Sequence, residues 1–179
     1  MYGRIISAAL CAALIAACGE QVPSEPAASS GTELCRNDFE TCVAPVLSGQ
    51  IRRRGGAIVS CMDSNCHVAG GNGGRFTLGS DMDANYLAAS SLVNMASSDP
   101  NASLLLIEPV QDDVLPSAVA GTHGGGEIFP VASSDPATNQ CTAAISRWIS
   151  IRVPDQTTDP RCGVCDTVTP VTNTMSCGY

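Results

Sequence analysis

Cys61-Met62-Asp63-Ser64-Asn65-Cys66-His67 is the stretch whose residue types could do chemistry: two thiols, the second followed at once by an imidazole. That layout suits covalent haem attachment. The thiols add to the two haem vinyl groups, and the adjacent His is placed under the iron as proximal ligand. The usual spacer between the two Cys is two residues, and here it is four. The same thiols could instead close a local Cys61–Cys66 disulfide, with His67 in solvent. The second of the chain's two His residues, His123, precedes three glycines. It is the candidate second axial ligand, with Met95 or Met82 as the alternative, because Met/His ligation is common in haem proteins. Cys61, Cys66, His67 and His123 also have suitable types for zinc, but free thiolates are hard to keep in an oxidising compartment. His123-Gly124-Gly125-Gly126 looks like an esterase oxyanion-hole motif. The Gly-x-Ser-x-Gly elbow that such an enzyme needs is missing from the sequence.

The compartment follows from the first residues. Arg4 precedes an apolar stretch, Ile5 to Ala17, too short to span a bilayer and patterned as a signal peptide. It ends Leu14-Ile15-Ala16-Ala17-Cys18, which resembles the bacterial lipobox. That resemblance implies residues 1–17 as a removed lipoprotein signal and Cys18 as the lipidated first residue, with acyl chains enough for stable anchoring. Gly19, where an Asp would favour inner-membrane retention, leans towards an outer-membrane or periplasm-facing lipoprotein. Residues 18–34 are polar and Pro-containing and are expected to form a flexible tether.

Ten Cys in 179 residues leave eight beyond the signal and the lipidation site: Cys35, Cys42, Cys61, Cys66, Cys141, Cys162, Cys165 and Cys177. An exported chain pairs or bonds its Cys, so four disulfides, or three and two Cys used otherwise, are open. Aromatics make up 4% of the chain, too few for a core of aromatic side chains alone; disulfides, a metal or a large apolar cofactor must help. The net charge is −8 and all nine basic residues are Arg, which argues against nucleic-acid binding and excludes Lys chemistry.

The elements that must position the motif read mainly as helices. Apolar spacing predicts a helix over 36–51, kinked at Pro45. A second runs over 83–96, with Asp81 or Asp83 as N-cap. Asp99-Pro100 and Asp135-Pro136 read as cap-and-start signals for helices over 100–108 and about 136–151. The last has the clearest apolar face: Cys141, Ala144, Ile145, Trp148 and Ile149. Residues 109–130 form a long loop carrying His123. Residues 153–179 read as an irregular Cys-rich tail stapled by disulfides.

The order of these pieces resembles small c-type cytochrome domains attached to bacterial lipoproteins. Cys66-His67 is followed by Gly70-Gly71-Asn72-Gly73-Gly74, a helix, Asp99-Pro100-Asn101-Ala102-Ser103-Leu104-Leu105-Leu106, His123 in its glycines, and Arg147-Trp148-Ile149. The resemblance covers roughly residues 61–151. It implies an all-α, cytochrome c-like domain over 35–152, built around one covalent haem c. Cys61, Cys66, His67 and His123 would hold the haem, and His67 and His123 its iron. The function so implied is electron transfer in the cell envelope rather than catalysis, with redox partners that offer a basic face to this acidic domain. The competing expectation is a haem-free, disulfide-stapled lipoprotein acting as a binding or structural module.

Overall fold

The computed structural model describes residues 33–74, 76–97, 99–110, 123, 127–130, 139–163, 171 and 173–179. The signal segment, Cys18, most of the tether and Cys165 lie outside the described residues, as do 131–138 with the second Asp-Pro pair. Residues 31–179 form one compact unit.

The first helical stretch has three pieces: α1 (Arg36–Asp38), a π turn (Phe39–Val43) and α2 (Ala44–Ser48). At the junction the Ala44 N–H donates to the Phe39 carbonyl, five residues back. Pro45 comes next. It has no N–H to give, and its ring crowds the preceding turn; a widened turn just before it accommodates both. Phe39, Cys42, Val43, Val46 and Leu47 are all buried, so the apolar face runs through the irregularity. The helix stops at Gly49, short of the expected Ile51, because residues 51–52 join a strand pair.

The expected all-α class does not hold. Among the described residues the fold is mixed, about 39% helix and 11% strand, with two small antiparallel sheets. Strand β2 (Ile51–Arg52) pairs with β3 (Ile58–Val59), Ile51 opposite Val59. Gly55 and Gly56 turn the chain between them at φ of 91° and 90°, a conformation that costs other residues strain. Strand β1 (Glu33–Leu34) pairs with β4 (Arg152–Val153), Glu33 opposite Val153. The segments are two residues long, too short for alternation to show in the sequence, and the second pair joins residues that are far apart along the chain.

Helix α3 (Met82–Ser90) starts where expected. The Asp81 carboxylate accepts from the N–H groups of Asp83 and Ala84. It ends before 96: Ser91 Oγ turns back onto the Ala88 carbonyl, and the Asn94 N–H is taken by buried Ser103. Asp99 caps a 3₁₀ turn, Pro100–Ala102, and extended Ser103 separates it from α4 (Leu104–Ile107). Helix α5 (Gln140–Ser150) begins at Asn139, whose side chain accepts from the N–H groups of Cys141 and Thr142 and donates to the Cys177 carbonyl. The N-cap is therefore Asn139, not Asp135.

The five apolar-face residues expected on α5 are all buried. Trp148 packs against Phe39 and Tyr86, with ring centres 5.3 and 6.2 Å away. The indole N–H donates to the Cys35 carbonyl and the Tyr86 hydroxyl to the Leu34 carbonyl. Aliphatic residues surround this trio, and the described core is made of side chains. At its edge, disulfide Cys141–Cys177 ties the start of α5 to the chain's last residues, Cys35–Cys162 ties the segment after α5 to the residue before α1, and Cys42 is disulfide-bonded as well. Such bonds persist in oxidising compartments, which puts the protein outside the reducing cytoplasm. Among the described residues, no helix is long and apolar enough to cross a membrane.

Candidate functional site

The motif begins where β3 ends. Ser60 Oγ accepts from the Met62 N–H and lies within hydrogen-bonding distance of the Leu47 and Ser48 carbonyls, anchoring the motif to α2. Asp63 organises the four-residue spacer. Its side chain accepts from the Ser60 N–H at 2.8 Å, and its carbonyl accepts from the Cys66 N–H at 2.8 Å. The His67 N–H then donates to the Cys61 carbonyl at 2.9 Å. Cys61 and His67 are thus joined through the backbone, and the longer spacer is folded into a closed turn.

Beyond His67 the chain returns. The Asn72 N–H donates to the Asn65 carbonyl and the Gly73 N–H to the Cys66 carbonyl, while Val68 and Leu78 form a parallel bridge. Phe76 and Leu78 insert into the core. The Phe76 carbonyl lies 2.9 Å from His67 Nδ1. A carbonyl only accepts, so Nδ1 carries the proton and, in the neutral ring, Nε2 carries the lone pair. This is the arrangement that prepares a histidine to bind metal through Nε2.

The opposite half comes from the loop. The Pro109 carbonyl accepts from the N–H groups of Ile128 and Phe129, and Val110 bridges Phe129, so the base of the 109–130 loop is closed and buried. Residues 111–122 and 124–126 lie outside the described residues. His123, partly buried, has its ring centre 5.9 Å from that of His67, with the planes 24° from parallel. The β2–β3 hairpin links the two halves: β3 runs into Cys61, while Arg54 pairs with Glu127 through both its guanidinium (2.6 Å) and its backbone N–H (3.0 Å).

Among the described cysteines, Cys61 and Cys66 are the two free thiols; both are partly buried. Burial pushes the Cys61 thiol up to about 12, with the nearby Cys66 adding to the effect, so it stays protonated at neutral pH. Met95 is exposed in the turns after α3, where its carbonyl accepts from Arg152. Met82 opens α3 and lines a cavity of about 210 Å³ with Met62, Leu78, Phe39 and Asn85.

Among the described residues, no three His, Cys, Asp or Glu side chains converge in a group that could hold a bare metal ion. A haem brings four nitrogens of its own and asks the protein for two axial ligands and two thiols. The donor set present, two free thiols and two neighbouring imidazoles, fits that demand. The Phe76 carbonyl and Gly73 are the site features that the residue pattern did not single out. The glycine run was the available signal, but it reads only as a loop. No protein-family model, curated protein or solved structure matches the chain.

Proposed function

We propose that this protein is a single-haem electron carrier of the cell envelope, resembling c-type cytochromes, tethered by lipid at Cys18. The observation that carries the reading is the joint placement of unpaired Cys61 and Cys66 with a His67 whose Nδ1 is held by the Phe76 carbonyl, next to the His123 ring. Cys61 and Cys66 would hold the group by thioethers, and His67 and His123 would hold its iron. When bound, haem supplies one-electron exchange at iron.

The chain's own residues prepare this. Asp63 folds the spacer so that both Cys and His67 belong to one turn. Phe76 fixes the His67 tautomer. Pro109 closes the base of the loop that carries His123, and Arg54 ties that loop to the hairpin leading into Cys61. The net charge of −8 favours redox partners with a basic docking face.

Absorption spectra of the exported protein, oxidised and reduced, test this. A Soret band that stays with the polypeptide through acid-acetone extraction is expected. Replacing His123 by Ala should leave the haem attached and open one axial position to carbon monoxide or imidazole. One observation favours a second reading, a haem-free disulfide-stapled envelope module: the described core closes on side chains alone. An intact mass equal to the polypeptide plus lipid, with no Soret band, would establish that reading instead.

A further inference from the structure

We propose that Gly73 is a positioning residue for His67: the missing side chain at 73 sets the position of the imidazole and so keeps Nδ1 on the Phe76 carbonyl and Nε2 available to a ligand. The ligand's identity rests on the haem reading; the geometry does not.

The glycines of 70–74 divide into two kinds. Gly70 and Gly74 have φ of +82° and +65°, and a Cβ on either would meet nothing within 4 Å. They are there for backbone conformation. Gly73 does not share that left-handed conformation. A Cβ on it would lie 2.2 Å from His67 Nδ1, 2.7 Å from Cγ and 2.8 Å from Cα. These are distances that real Cβ contacts do not reach, so Gly73 is there for space.

Neither partner has an easy retreat. The Gly73 N–H is bonded to the Cys66 carbonyl at 2.9 Å, and its own carbonyl accepts from the Phe76 N–H at 3.3 Å. Phe76 presents its ring to the imidazole, with centres 4.7 Å apart and planes 56° from parallel. Phe76 is itself buried in the core. Rotating the ring would leave the contact with the His67 Cα, so a methyl at 73 must push the imidazole and the residue 67 backbone away together, and that displacement draws Nδ1 off the Phe76 carbonyl.

The test compares full-length wild type, Gly73→Ala and Gly74→Ala. Gly74→Ala strains the backbone nearby without meeting His67, so it controls for loop damage. Histidine 15N–1H correlation spectra, taken on the reduced protein where haem is present, report the protonated nitrogen of His67. Wild type and Gly74→Ala should show Nδ1–H; Gly73→Ala should lose it. In haem-loaded protein, Gly73→Ala alone should also change the ferric low-spin electron paramagnetic signal and the midpoint potential. An unchanged His67 signal in Gly73→Ala overturns the proposal. Because that signal needs no haem, a wild type without a Soret band defeats the haem reading while the proposal is still decided. If Gly73→Ala folds poorly, a thermal-unfolding cycle with His67→Ala decides instead. The loss of Tm from Gly73→Ala should shrink when the imidazole is gone, and additive losses overturn the proposal.

Discussion

Two regions of this domain spend cysteine in opposite ways. Around α5, Cys35–Cys162 and Cys141–Cys177 fasten distant segments over a core centred on Trp148. Across residues 60–78, the shape comes from backbone hydrogen bonds, the Asp63 carboxylate and the close packing of Gly73, while Cys61 and Cys66 keep free thiols. A thiol not needed as a staple, in a compartment that oxidises thiols, calls for another use. The scaffold and the thiol-bearing turn are thus held by separable means, so each can be damaged without the other.

The largest effect should come from attacking that separation directly. Replacing Cys61 and Cys66 together by Ser should abolish haem that stays with the denatured polypeptide, while circular dichroism stays native-like. Replacing Cys35 and Cys162 together should, on the proposed haem reading, leave haem attachment intact and lower unfolding stability by about 2–5 kcal/mol in denaturant titration. If the two double variants behave alike in both measurements, the regions are not separable.

Next in size is the scaffold core. Trp148→Ala removes the ring packed against both Phe39 and Tyr86 and takes the indole donor from the Cys35 carbonyl, which keeps only the Phe39 N–H. A loss of about 3–5 kcal/mol is expected. Trp148→Phe should restore part of it. A loss under about 1 kcal/mol would show that this cluster does not carry the scaffold.

The smallest effect sits at the rim. Side-chain and backbone hydrogen bonds from Arg161 hold the Asp159 carboxyl well below the ordinary carboxylate range, at about 2. A carboxylate with its folded value lowered stabilises the fold above its unfolded value. That contribution fades as pH falls through the folded value, here between the ordinary carboxyl range and about 2. A carboxyl NMR titration should show the low midpoint, and Arg161→Ala should return it towards the usual value. On the proposed haem reading, the absorption spectrum should not respond to either change.

What the sequence makes legible here is what is local. Asp81 and Asp99-Pro100 mark their helix starts because a cap acts within three residues. The face of α5 shows in its spacing because one side of that helix packs on the core. The strand pairs escape notice because two-residue strands have no period to detect, although Ile51 and Ile58-Val59 around Gly55-Gly56 already carry hairpin chemistry. The start of α5 at Asn139 is harder to read, because its side chain also bonds the distant Cys177 carbonyl, a contact that local sequence does not show; Asp135-Pro136 lies outside the described residues. At the site, Cys61, Cys66, His67 and His123 announce themselves by type. The Phe76 carbonyl does not, because any residue has a carbonyl. Nor does Gly73, because a glycine chosen for space looks like one chosen for its dihedral angle.

The pairing of Cys35 with Cys162 has a consequence in time. The two lie 127 residues apart, and Cys61 and Cys66 fall between them. A chain that enters an oxidising compartment N-terminus first presents Cys35, Cys42, Cys61 and Cys66 while Cys162 is still on the other side of the membrane. For that interval the available oxidation partners of Cys35 are wrong ones. Correct closure then depends on thiol–disulfide exchange after the later Cys arrive, a process of seconds to hours without help. Engaging Cys61 and Cys66 early in bonds to carbon would take two competitors out of that exchange and leave the staple fewer ways to misform.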